Sequence, residues 1–141
     1  MSVGTRFVCS EEVFGAPEYK ERIVRSTAED TVYTRLFDIG WDAPHRVLRN
    51  RAVDEWAAAG RPVSGQRPGE GTAIATAPRA GAIIELMKYA ANSYPTAGFA
   101  GDIESAVLYA GESCSLIHDI KPAAQIVRDF VAEAEAIIRG L

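Results

Sequence analysis

The clearest pattern of apolar positions lies near the C-terminal end of the chain. After Pro122, bulky apolar residues recur at the period of an α-helix, and charged residues occupy the opposite side. We therefore predict one long helix from Pro122 to Arg139, whose apolar face must pack on something. The stripe consists of Ile126, Val127, Phe130, Val131, Ala134, Ile137 and Ile138.

Start and stop signals predict three more helices. Pro17 suits the first position of a helix, which we expect over residues 18–26. A second helix is predicted from Asn50 to Ala59, where Gly60 ends it. The small and apolar residues of the segment 78–92 predict a third.

Extended segments are few and short. Residues 3–8 predict a strand, and the β-branched and aromatic residues at 31–37 predict another extended segment, followed by a short one at 46–48. Glycine and proline dominate residues 60–72, and we interpret 60–76 as a flexible insertion. These fragments cannot form a self-sufficient parallel sheet, so we expect a mostly α fold with short strands and no sheet of more than three strands.

Composition and charge indicate an ordinary globular domain. The 141 residues are 48% hydrophobic and 24% charged, which fits one core spanning 1–141. A net charge of −4 disfavours nucleic acid and anionic membranes as partners. No apolar run approaches the ~20 residues that a membrane span needs. By elimination we expect a cytoplasmic protein.

Cysteine and histidine usage predicts no metal site. Cys9 and Cys114 are far apart in sequence, and we expect both to be reduced, buried packing residues. His45 and His118 complete no cluster with the spacing of metal ligands. We expect both histidines to lie on exposed turns or loops.

Several segments in a fixed order carry a resemblance to a known family. They are VGTRF (3–7), APEYKERI (16–23), DTVYTRLFD (30–38), RVLRNR (46–51), YAGESCSLIHDI (109–120) and KPAAQIVRDFVAEAEAII (121–138). Together they resemble the C-terminal portion of nitronate monooxygenases, the 2-nitropropane dioxygenase family. The same order is similar to that of the FMN-dependent enoyl reductases of fatty-acid synthesis.

The resemblance implies that the chain is the C-terminal part of a (β/α)8 TIM-barrel flavoenzyme. It would supply the last barrel strand plus C-terminal helices, with the preceding strands encoded upstream of residue 1. TIM barrels bind phosphates at the loops after strands seven and eight. The resemblance places FMN phosphate contacts at Ser2, Val3, Gly4 and Thr5. Gly4, which lacks a Cβ atom, would let the backbone approach a phosphate closely.

A second candidate site lies in the YAGES segment. The resemblance assigns Glu112 and Ser113 to the border of the substrate pocket, where relatives usually carry glutamine in place of Glu112. A carboxylate there would repel an anionic nitronate unless it is protonated or turned outward. From the residues alone, this segment is equally well explained as the start of a short helix.

The implied activity belongs to the intact enzyme. With FMN bound, such an enzyme oxidises alkyl nitronates with O2 to carbonyl compounds and nitrite. A full barrel takes ~250 residues, so we expect this chain to be inactive alone, and its catalytic residues stay unknown. One alternative is an enoyl reductase-like fragment that uses NAD(P)H. Another is a non-catalytic helical module that docks on a separately encoded N-terminal barrel half.

Overall fold

A computed structural model describes residues 3–140 of the chain. In this range, short helices and small antiparallel sheets alternate, and the helical share is smaller than the sequence predicts. In chain order the main elements are α1 (Gly4–Val8), α2 (Pro17–Arg25), β1 (Thr31–Thr34), β2 (His45–Leu48), α3 (Arg51–Ala58), β3 (Ala73–Arg79), β4 (Ala82–Met87), β5 (Ala100–Gly101) and α4 (Ala123–Arg139). Short 3-10 helices cover Ala28–Asp30, Ile103–Ser105 and Glu112–Leu116.

Three of the predicted helices are confirmed by their end signals. Pro17 occupies the first turn of α2, and α4 begins directly after Pro122. The side chain of Asn50 accepts a hydrogen bond from Val53 N at 3.3 Å and caps α3. The strand predicted over residues 3–8 is wrong, because Gly4–Val8 forms the short helix α1.

The segment 108–110 joins a small sheet built on β2. In that sheet β1 and β2 run antiparallel, with Thr31 opposite Leu48. On the other edge of β2, Leu48 N donates to Leu108 O at 2.8 Å and Ala110 N donates to Arg46 O at 3.2 Å. This pairing fixes the position of the YAGES residues that follow.

The helix predicted over 78–92 is wrong, because these residues form much of a β-hairpin. Strands β3 and β4 pair antiparallel from Ala73 to Met87. The turn between them has positive φ angles at Ala80 (47°) and Gly81 (83°), as two-residue hairpin turns require. Residues 73–76 lie within β3, so the loop predicted over 60–76 ends earlier.

The largest buried cluster lies where α2, β2 and residues 106–117 meet. Both cysteines belong to it and are free and fully buried, as predicted. Burial raises the pKa of the Cys9 thiol to about 11, so this sulfur is neutral at physiological pH. The cluster contains Cys9, Ala16, Tyr19, Ile23, Leu48, Ala106, Leu108, Ala110, Cys114 and Ile117.

Side-chain contacts tie the long loop 60–72 to the core: the buried Tyr89 Oη donates to Pro68 O at 2.8 Å, and a buried arginine of the loop makes several more. The side chain of Arg67 is 2% exposed and donates to Leu36 O at 2.6 Å. It also forms ion pairs with Asp38 at 2.7 Å and with Glu70 at 2.6 Å. The flexibility of this insertion stays a prediction.

Helix α4 has the predicted stripe, but most of the stripe is exposed. Ile126 is buried, whereas Val131 is 53% and Ile138 71% exposed. Among the helices of residues 3–140, none combines the length and the apolar character needed to cross a membrane.

Candidate functional site

The two segments assigned to the candidate site lie side by side. Gly111 N donates a hydrogen bond to Thr5 Oγ1 at 2.9 Å, which joins positions 106 apart in sequence. Val3 and Ser113 line the same cavity of about 390 Å³. Ser2 lies outside the described residues. Local sequence patterns contain no signal for this long-range contact.

Contacts on both sides hold the two segments in place. Arg6 donates to the backbone oxygen of Asp119 at 2.8 Å and forms an ion pair with its carboxylate at 2.7 Å. Ala28 N donates to Ser115 Oγ at 2.7 Å, and the Cys114 side chain is fully buried. The turn Glu112–Leu116 is therefore held by the hydrogen bond to Ser115 and by the buried side chain of Cys114.

The backbone at Gly4 is open to a ligand. A Cβ atom added to Gly4 would meet no atom within 4 Å, and the residue is exposed. The Ser113 side chain, also exposed, can donate a hydrogen bond to an acceptor in the same cavity. These features fit one edge of a phosphate group.

The charges around this cavity are mixed. Arg6 is the cationic side chain that lines it within residues 3–140, and its guanidinium is already paired with Asp119. Glu133 of α4 lies on the same wall and would oppose an anion. Among residues 3–140, the charged side chains that line this cavity therefore offer an anion little net attraction.

Glu112 is turned outward and paired. Its side chain is 63% exposed, and its Oε1 atom lies 3.0 Å from Arg46 Nη2. Arg46 is itself held by a hydrogen bond of 3.0 Å to Thr31 Oγ1. This ion pair compensates the charge of the Glu112 carboxylate. The interpretation of this segment as the start of a short helix is confirmed, because Glu112 begins a 3-10 helix.

The two histidines differ from each other. His118 is exposed next to Asp119, as predicted. The prediction for His45 is wrong: it is 7% exposed as the first residue of β2. Its ring contacts Trp41 and Tyr109, with centroids 5.2 and 5.3 Å away. Its Nε2 atom has no hydrogen-bond partner among residues 3–140.

No sequence motif identified Arg46 as a partner of Glu112 or predicted the contacts of Tyr109. Tyr109 is the first residue of the YAGES segment, and its backbone oxygen accepts a hydrogen bond from Tyr19 Oη at 2.6 Å. Arg46 could have been recognised as the partner of Glu112 only by knowing that residues 108–110 pair with β2. Because the two charges lie in segments far apart in sequence, no local pattern predicts that they pair.

Comparisons with known proteins give two informative structures. No family model and no curated protein matches the chain. A single-substitution variant of FabK from Thermotoga maritima is similar, with 26% identity and a TM-score of 0.54, over 96% of this chain and 33% of that one. FabK from the same organism matches with 24% identity and a TM-score of 0.56, over 96% and 37%.

This similarity supports the fold implied by the sequence motifs in part, because the expected last barrel strand at residues 3–8 is the helix α1. The chain spans about a third of the length of the FabK chains it matches. The alignment covers 96% of this chain, so it includes both the small sheets and the helices. The chain therefore has the fold of part of FabK.

Proposed function

We propose that this chain forms the C-terminal part of an FMN-dependent oxidoreductase of the TIM-barrel class. The observation that carries the proposal is the hydrogen bond between Thr5 and Gly111, at 2.9 Å. It joins the segment that the motifs assign to the flavin phosphate to the segment that they assign to the pocket. The similarity to FabK over 96% of this chain adds support, because the motifs also resemble those of the FMN-dependent enoyl reductases.

In this proposal, the residues of the chain bind the FMN phosphate and orient the ligand. The open backbone of Gly4 accepts the close approach of a phosphate, and the Ser113 hydroxyl donates to a ligand oxygen. The pair of Glu112 with Arg46 keeps the rim of the pocket near neutrality, so an anionic substrate meets no net repulsion from it. When bound, FMN supplies the redox chemistry.

Two substrate classes are consistent with this site. The sequence motifs favour oxidation of alkyl nitronates with O2. The FabK neighbours favour the alternative, reduction of an enoyl thioester with NAD(P)H. The two activities have separate readouts, because the first releases nitrite and the second consumes NAD(P)H in the presence of the thioester.

We predict that the purified 141-residue chain is colourless and inactive with propyl-2-nitronate. In this proposal, Gly4 and the cavity lined by Val3 and Ser113 offer only part of a phosphate site. Each missing charge-assisted hydrogen bond removes roughly 1.5–3 kcal/mol, so the loss of several is enough to abolish micromolar binding. The test is flavin absorbance after dialysis with excess FMN. Stoichiometric FMN bound to the isolated chain would contradict this expectation.

Reconstitution tests the cofactor site itself. Co-expression with the N-terminal barrel portion of FabK should restore bound FMN, and Gly4→Val should weaken it by placing a branched side chain against the phosphate. The variant should fold normally, because a Cβ atom at Gly4 meets no neighbour. Gly140→Ala, at the far end of α4, is the matched control. Equal FMN content in the two variants would argue against a phosphate at Gly4.

A further inference from the structure

A second and larger groove lies beside Tyr109, and the proposed flavin site does not use it. Its volume is about 580 Å³, within the roughly 300–1,000 Å³ range of small-molecule sites. None of the residues that line it lines the cavity at Val3 and Ser113. Its walls include Ile39, Trp41, Ala90, Asn92, Tyr94 and Tyr109.

Two large aromatic side chains in this groove are unusually exposed. Trp41 is 63% and Tyr94 39% exposed, although each could bury a large apolar area. Tyr109 forms a third aromatic wall and is half-buried. Large aromatic rings that converge on one concave surface are typical of ligand sites.

Contacts behind the walls hold the three rings in place. Tyr109 Oη donates to Ala91 O at 2.8 Å. The Arg79 guanidinium lies 4.4 Å from the centre of the Tyr94 ring and donates to Tyr94 O at 3.2 Å. The Trp41 ring packs edge to face on the buried ring of His45. Side chains that are already held lose less conformational entropy when a ligand binds.

The chemistry of the walls selects the class of ligand. Within residues 3–140, no Asp, Glu, Lys or Arg side chain lines the groove, and the nearby Arg79 guanidinium already donates to Asn92 O and Tyr94 O, so a neutral ligand is favoured over a charged one. The rings offer edge and face contacts that favour flat aromatic partners. The Asn92 side chain is exposed on the wall and can either donate or accept a hydrogen bond.

We propose that this groove is a binding site for a neutral, planar aromatic ring system that carries a hydrogen-bonding group. The ring system stacks among Trp41, Tyr94 and Tyr109, and its polar group meets Asn92. The site stands independently of the flavin proposal, because it requires neither FMN nor a barrel half.

The test is a titration of the 15N-labelled 141-residue chain with 2-naphthol, followed by NMR. We expect saturable shifts of the amides of Gly40 and Asn92 and of the Trp41 indole. The matched probe is 2-decalol, which has two saturated rings and the same hydroxyl. Loss of two aromatic contacts should weaken its binding roughly tenfold. Equal affinities for the two probes, or naphthol shifts confined to another surface, would overturn the proposal.

Variants localise the site. Trp41→Ala should weaken 2-naphthol binding roughly tenfold, and Trp41→Phe should retain most of the affinity. Tyr33→Ala is the control, because Tyr33 is 65% exposed and lines a different depression. Trp41 is exposed, so its replacement should leave the fold intact. An equal loss in the Tyr33 variant would show that binding is nonspecific, against the proposal.

Discussion

The loop 60–72 has no regular secondary structure but is attached to the core, whereas helix α4 is regular but buries little of its apolar face. The loop contains no helix or strand, yet the Arg67 side chain within it is 2% exposed and bonded to Leu36, Asp38 and Glu70. Helix α4 is the longest helix within residues 3–140, yet beyond Ile126 most of its bulky apolar side chains are half-exposed or more.

This difference shows that the secondary structure of a segment and its packing on the core are specified separately. Periodicity along a sequence specifies a helix, because the pattern repeats with the helix turn. It does not specify the surface on which the helix packs. Conversely, a segment rich in glycine and proline is irregular, but a few side-chain contacts, the ion pairs of buried Arg67 among them, can anchor it. Local pattern therefore indicates shape better than it indicates stability.

The largest effect should come from removing the anchor of the loop. We expect Arg67→Met to lower the free energy of unfolding by about 3–5 kcal/mol, because it leaves Asp38 and Glu70 without their buried counter-charge. Urea denaturation measures the change. The control is Arg35→Met, whose ion pair with Asp42 is exposed and should contribute at most about 1 kcal/mol. Equal effects would mean that Arg67 does not anchor the loop.

The ion pair between Arg67 and Glu70 should also make the free energy of unfolding depend on pH. This effect should be smaller than that of Arg67→Met. The hydrogen bond from the Arg67 guanidinium, opposed by partial burial, lowers the pKa of Glu70 from 4.5 to about 2. Because the folded pKa is the lower one, Glu70 stabilises the fold above pH 4.5, and this contribution is lost as the pH falls towards 2.

Denaturation at several pH values between those limits tests this expectation. Glu70→Gln should lose less stability than the wild type as the pH falls, since the titrating carboxylate is gone. Glu18→Gln, on the exposed side of α2, serves as the matched control and should follow the wild type. Identical curves for Glu70→Gln and wild type would contradict the ion pair.

Much of the secondary structure was predictable because its signals are local. Pro17 begins α2, Asn50 caps α3, and the period of the apolar residues defines α4. The hairpin at 73–87 was missed because alanine, leucine, glutamate and methionine within it favour helices. The Ala80–Gly81 turn determines the outcome, and alanine gives no warning of its positive φ angle.

The candidate site was predictable only in its parts. Motifs identified Gly4, Thr5, Glu112 and Ser113, and the structure brings the two segments together through Gly111. The contact itself depends on how residues 108–110 pair with β2, which no short-range pattern specifies. The exposed position predicted for His45 was wrong for a similar reason: the preceding Pro44 indicates a turn, whereas burial follows from pairing along β2.

The smallest effect should come from the exposed stripe of α4. Val131 is 53% exposed, so Val131→Ala removes little buried surface and replaces a β-branched residue by the best helix former. We expect the free energy of unfolding to change by no more than about 0.5 kcal/mol. Ile126→Ala, on the buried side of the same helix, should cost about 2–5 kcal/mol.

A loss well above 1 kcal/mol for Val131→Ala would show that another surface covers the stripe in solution. If that loss grows with protein concentration, the covering surface is a second copy of the chain. Either result would remove the contrast between the loop and the helix, because both would then be attached through contacts that local sequence does not specify.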